Sequence, residues 1–171
     1  MATNSSIGMI QPNGSVIAVY CHYDGYLSGV GKKLINYYRD PAKVKELITL
    51  GRNGISSLGK EIGKKQNFYN PTDPDWCLFY GRDRGDRNRE FRVPYSSAED
   101  FRRNYDQNYG YLFDPESNIW FAFDGRELTY IPGQSKNLVN AMWKKLTNGT
   151  TTESKQFSLA QTAKKILKEF H

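Results

Sequence analysis

The chain has 171 residues, with 24 Lys and Arg against 18 Asp and Glu, giving a formal charge of +6. That length suits a single domain, residues 1–171, which buries roughly two thirds of its unfolded surface without metal or disulfide staples. Apolar residues are only 38%, but 12 Tyr, 9 Phe and 3 Trp supply large buried area and argue against disorder. The basic excess, with a pI of about 9.2, points mildly toward polyanions.

No apolar run approaches the roughly 18 residues that a membrane helix needs, so no membrane partner is expected. Met1-Ala2-Thr3-Asn4-Ser5-Ser6 carries neither the basic nor the apolar region of a signal peptide, and a cytosolic chain is expected. Cys21 and Cys77 are the only cysteines, expected to be reduced. With His22 and His171 they do not make a zinc site of the usual kind, and no metal or cofactor is expected.

Ser6 to Ile10 and Val16 to Tyr20 read as a β-hairpin around Pro12-Asn13-Gly14. Val30, Leu34, Ile35 and Tyr38 then recur at helical spacing, with Ser28 as the expected N-cap. Asp40-Pro41 starts a second helix that buries Val44, Leu47, Ile48 and Leu50 and stops at Gly51. Residues 51–75 read as irregular, anchored by Ile55, Leu58 and Ile62 and holding at most one short helix. Cys77 to Tyr80 reads as a strand running into a charged loop. Ser96-Ser97 before Glu99 and Asp100 predicts a helix to about Tyr105. Tyr109 to Phe113, Ile119 to Phe123 and Glu127 to Ile131 predict an aromatic meander, one face of it core and the other a platform if exposed. Ser135 caps a helix with Leu138, Met142, Trp143 and Leu146. Ser158 and Gln161 open a last helix whose Lys164, Lys165 and Lys168 lie opposite its apolar stripe. The sum is an α+β fold with a mainly antiparallel sheet, the N-terminal hairpin plus the C-terminal meander, and four to five helices.

Three segments carry possible chemistry. Cys21, His22 and Asp24 have the residue types of a thiol nucleophile, base and orienting carboxylate. Neighbours in a strand point to opposite faces, however, so Cys21 reads better as core. His22, Asp24, Tyr26 and Lys32 are then candidates to line a ligand cleft. Gly54 to Lys60 has the spacing of a phosphate-binding loop, but Glu61 stands where such a loop needs Ser or Thr, which favours structural glycines. Gly81 to Arg92 holds five arginines and three acids in twelve residues. Arginine suits bidentate phosphate recognition, so Arg82, Arg84, Arg87, Arg89 and Arg92, with Arg102 and Arg103 nearby, are the candidate phosphate ligands. Tyr80, Phe91 and Tyr95 supply stacking surface beside them. A solvated loop of mutually paired Arg and Asp is the competing reading.

Tyr20-Cys21-His22-Tyr23-Asp24-Gly25-Tyr26 and Gly29-Val30-Gly31, after a strand pair, resemble a family of small phage-encoded proteins with the pattern Y-C-H-[WY]-D-G-Y and G-V-G. Ile55 to Gly59 and Tyr80 to Gly85 extend the likeness, which covers about residues 5–92. Tyr23 and Leu27 depart from it, standing where Trp and Pro are expected. The resemblance implies a phage origin and not a chemistry. It leads to the expectation of an accessory protein for host takeover or counter-defence, in the host cytoplasm, binding a phosphate-bearing target. That target is nucleic acid, a nucleotide or a nucleic-acid-handling host protein. The alternatives are a protein-binding inhibitor of a host enzyme and a small hydrolase or nuclease using Cys21, His22 and Asp24.

Overall fold

The elements in chain order are β1 (Ser5–Ile10), β2 (Val16–Cys21), α1 (Lys32–Tyr37), α2 (Pro41–Leu50), β3 (Ile55–Ser57), β4 (Leu78–Phe79), α3 (Tyr80–Arg84), β5 (Val93–Tyr95), α4 (Ala98–Asn104), β6 (Tyr109–Asp114), β7 (Ile119–Asp124), β8 (Glu127–Thr129) and α5 (Lys136–Thr147). They come from a computed structural model that describes residues 2–148. The helix expected from Ser158 onward, with Lys164, Lys165 and Lys168, lies outside the described residues.

All eight strands join one sheet in the order β4-β3-β2-β1-β6-β7-β8, with β5 added against β2. Five of the seven pairings are antiparallel, and β1/β6 and β2/β3 are parallel. The fold is therefore α+β with a mixed, mainly antiparallel sheet. The hairpin closes with Ser5 opposite Cys21 and Ile10 opposite Val16. Its turn is permitted by Gly14 at φ 87°, which an L side chain rarely adopts. In the meander, Tyr109 faces Asp124 and Asp114 faces Ile119, so alternate residues share a face.

That alternation feeds two cores. Ile7, Val19, Tyr111, Phe113, Trp120 and Ala122 pack under α1 and α2 with Leu34, Val44 and Leu47. Ile10, Val16, Ala18, Leu112, Phe121 and Phe123 pack on the other side with Phe101 and Val139 of α4 and α5. Both meander faces are thus covered, and the aromatic platform considered as one option is absent there. Trp120 shows why the first core tolerates so large a ring: its Nε1 donates to the Tyr38 carbonyl at 2.8 Å.

Three predicted caps form. The Asp40 carboxylate accepts from Ala42 N at 2.9 Å, Ser97 Oγ from Asp100 N at 3.0 Å, and Ser135 Oγ from Leu138 N at 3.3 Å. Ser28 does not cap α1. A wide π-turn, Leu27–Gly31, leads into that helix, with Val30 N donating to the Asp24 carbonyl at 2.8 Å. Residues 51–75 hold a single 3₁₀ turn at Gly51–Asn53 and the strand β3, rather than the short helix allowed for them. The strand expected over Cys77 to Tyr80 shrinks to Leu78–Phe79, because the chain turns at Tyr80 into α3 and ends that helix on Gly85 at φ 85°.

One detail of the topology positions the site. β1 occupies the whole of one edge of β2, so β5 and β3 must share the other. β5 takes Val16 to Ala18 and β3 meets Cys21. Among the described residues, Val19 and Tyr20 have no strand partner on that edge, and a gap in the sheet margin results.

Candidate functional site

The gap beside Tyr20 opens as a cleft of about 460 Å³. β2 and the residue after it supply Tyr20 and His22 on one wall. Asn53, from the 3₁₀ turn, also lines it, and Tyr80, Arg84, Asp86, Arg89 and Phe91 close the other side. Tyr20 and His22 share this wall because period-two alternation sends both side chains to the face opposite Cys21. The Tyr20 hydroxyl and His22 Nδ1 are hydrogen-bonded at 2.6 Å, which fixes the imidazole and leaves Nε2 as its other polar atom.

Long-range bonds hold the second wall in place. Phe91 N donates to the Arg52 carbonyl at 2.6 Å, and Asn53 Nδ2 donates to the Arg89 carbonyl at 2.8 Å. The Phe91 ring stacks on Tyr20, with centroids 5.5 Å apart and planes 28° from parallel. Tyr80 N donates to the Gly54 carbonyl at 3.1 Å, and partial burial pushes the Tyr80 phenol above its ordinary value. At Gly54 (φ 96°) an added Cβ would lie 2.9 Å from the Tyr80 ring, so only glycine fits that approach.

Five of the seven candidate arginines divide into three groups. Arg82 is a structural clamp: Nε donates to Asp83, Nη1 to the Ile62 and Gly63 carbonyls, and Nη2 to the Cys77 carbonyl, each at 3.0 Å. It is therefore withdrawn from the expected phosphate ligands, because its polar hydrogens already hold residues 62–77. The Asp83 carboxylate it meets is fully buried and also accepts from Gln66 N and Phe79 N.

Arg102 and Arg103 form the second group. Both donate to Glu99 on α4, at helical spacing of three and four residues, and Arg102 also donates to the Arg126 carbonyl. The Arg102 guanidinium beside Glu99 holds that carboxyl below the usual range. Neither arginine lines the cleft.

Arg84 and Arg89 are the third group and both line the cleft. Arg84 lies 4.5 Å from the Tyr80 ring centre and 4.9 Å from that of Phe68, an arrangement favourable for a cation on a π-face. It binds Asp86 in a two-pronged contact of 2.6–3.1 Å that holds the Asp86 carboxyl below its ordinary value. Arg89 is exposed, and its guanidinium has no ion-pair partner among the described residues. Arg87 is exposed outside the cleft lining, and Arg92 sits 3.6 Å from Glu90.

Of the other cleft candidates, His22 alone reaches it. Asp24, at φ 58°, accepts from the Tyr26 hydroxyl at 3.0 Å, and both stand on an exposed turn. Lys32 is exposed on α1. The turn is locked from outside: Gly25 N donates to the Thr3 carbonyl and Tyr111 OH to the Gly25 carbonyl. A Cβ on Gly25 or Gly29 would meet backbone at 2.7 Å or 2.3 Å, so these glycines serve packing. Cys21 is wholly buried in the first core, and burial pushes its thiol up to about 12. A nucleophile needs the exposed thiolate, so the structure argues against Cys21 in that role. Gly59 is likewise structural, its N donating to Cys77 Sγ at 3.2 Å.

Asn53 and Asp86 are cleft residues that the sequence does not single out, and the ring pair Phe68-Tyr69 stands beside the cleft, outside its lining. An aromatic pair inside the polar run Gln66 to Asp75 was the available signal, since such a run offers no core to bury it. Comparison with family models, curated proteins and solved structures returns no match, so geometry carries the functional reading. No helix among the described residues is long and apolar enough to cross a membrane.

Proposed function

We propose that the protein binds a phosphate-bearing ligand with a flat aromatic group, a nucleotide unit, in the cleft between Tyr20 and Arg84. The observation that supports it is the convergence of two exposed arginines, a stacked Tyr20–Phe91 pair and a fixed imidazole in one opening. A base stacks on Tyr20, Phe91 or Tyr80, and the phosphate takes charge-assisted bonds from Arg84 and Arg89. Asp86 fits the same picture. It holds Arg84 in place until a phosphate competes for the guanidinium. Within this reading the phage resemblance assigns the protein to the host cytoplasm, as an accessory factor that sequesters or senses a nucleotide or nucleic acid.

Titration calorimetry with nucleoside monophosphates tests it, comparing wild-type protein with the Arg84→Ala/Arg89→Ala variant. Binding that weakens with added salt and is lost in the variant supports the reading. Salt-independent binding, or equal binding by the variant, overturns it.

A further inference from the structure

Aromatic rings outside the two cores form a connected third group. From Phe91 the rings run to Tyr20 (5.5 Å between centroids), His22 (5.9 Å), Tyr80 (6.4 Å), Phe68 (5.5 Å) and Tyr69 (5.4 Å). Tyr23 branches from His22 at 4.5 Å. None of these rings belongs to either core cluster, and none is buried. Tyr69 is 81% exposed and lies beyond the cleft lining, as does Phe68. Arg84 sits on the Phe68 and Tyr80 rings midway along the row, Arg89 stands at the Phe91 end, and exposed Lys64 and Lys65 precede Phe68.

A single nucleotide in the cleft makes no use of Phe68 or Tyr69. Leaving a ring as exposed as Tyr69 in water forgoes its burial, which a second ligand unit on it would recover. Rows of rings interleaved with cations are the pattern that takes successive unpaired bases, whose faces are free to stack, with the cations meeting the phosphates between them. A duplex offers no such faces along its length. We propose that this surface is a track for single-stranded nucleic acid, running from Phe91 through the cleft to Tyr69. The proposal rests on the cleft reading and extends it from one nucleotide to several.

Fluorescence anisotropy of the full chain with labelled oligothymidylates of increasing length tests it, with thymidine monophosphate as competitor. Affinity is expected to rise with length until the row is covered. The salt slope should grow by roughly 0.7 for each phosphate engaged. Tyr69→Ala, a substitution at an exposed position that leaves the fold intact, should weaken long oligonucleotides roughly 5- to 150-fold and leave the monophosphate unchanged. Binding of the monophosphate with no gain from length, no effect of Tyr69→Ala, or tighter binding of duplex overturns the track while the cleft reading stands. No binding at any length, the monophosphate included, overturns both in favour of a protein partner.

Discussion

The meander and the cleft use the same residue types in opposite ways. In β6 and β7, Tyr111, Phe113, Trp120, Phe121 and Phe123 are all fully buried, because helices cover both faces of the sheet. Around Tyr20 the sheet edge has a gap, only the short α3 borders it among the described residues, and the rings stay partly exposed. Arginine divides likewise within α3. Arg82, with 13% of its side chain exposed, is spent on buried carbonyls and Asp83, whereas Arg84, two residues on, lies against rings at the surface. Neither residue type predicts a role by itself; what covers the position does.

The largest expected effect breaks the meander. Trp120→Ala should cost about 3–5 kcal/mol in urea unfolding, since it opens a cavity and strips the Tyr38 carbonyl of its donor. A loss below about 1 kcal/mol would mean that the first core is not packed as described.

Arg82 and Arg84 sharpen the contrast most. Arg82→Ala should destabilise by about 3–5 kcal/mol, because it strands a buried carboxylate on Asp83. Arg84→Ala should cost no more than about 1 kcal/mol, its pair with Asp86 being at the surface. Equal stability losses in the two variants would remove the distinction between clamp and ligand.

Alkali reads the buried side. The Cys21 thiol is raised from 9.0 to about 12 by burial, so the folded state keeps its proton where the unfolded state loses it. Stability from this group is full below about pH 9 and declines as pH rises toward about 12, with Cys77 and Tyr38, also raised by burial, acting in the same sense. Urea midpoints across that range check the slope. A thiol reagent should label neither cysteine until the protein unfolds. Rapid native labelling of Cys21 would return it to the list of candidate nucleophiles.

Asp86→Asn gives the smallest effect and the most specific one. Freed from its carboxylate, Arg84 should bind phosphate ligands several-fold tighter, roughly the worth of one surface ion pair. A fall in affinity would show that Asp86 contacts the ligand directly.

Elements were legible where local chemistry decides them. Asp40-Pro41, Ser97 and Ser135 announce their helices through caps that form as drawn, and the meander follows from strict alternation. β3, β5 and α3 were not, because each spans five residues or fewer and owes its existence to partners distant in sequence. β5, for instance, reads as a loop until β2 offers it Val16 to Ala18. The site divides by the same rule. Arg102 and Arg103, expected as phosphate ligands, instead pair with Glu99 three and four residues back on α4. The roles of Arg82 and Arg84 were not legible, since the carbonyls of Ile62, Gly63 and Cys77 reach Arg82 only in the fold. His22 lines the cleft, whereas Asp24 and Tyr26 belong to a turn packed for its own closure and Lys32 stands exposed on α1.

Photo-crosslinking tests the central claim most directly. An oligonucleotide carrying 4-thiothymidine, bound, irradiated and digested for mass spectrometry, should attach to Tyr20, Tyr80 or Phe91 around the cleft. Attachment instead to α4 around Arg102 and Arg103, or to the Lys144-Lys145 end of α5, would contradict it.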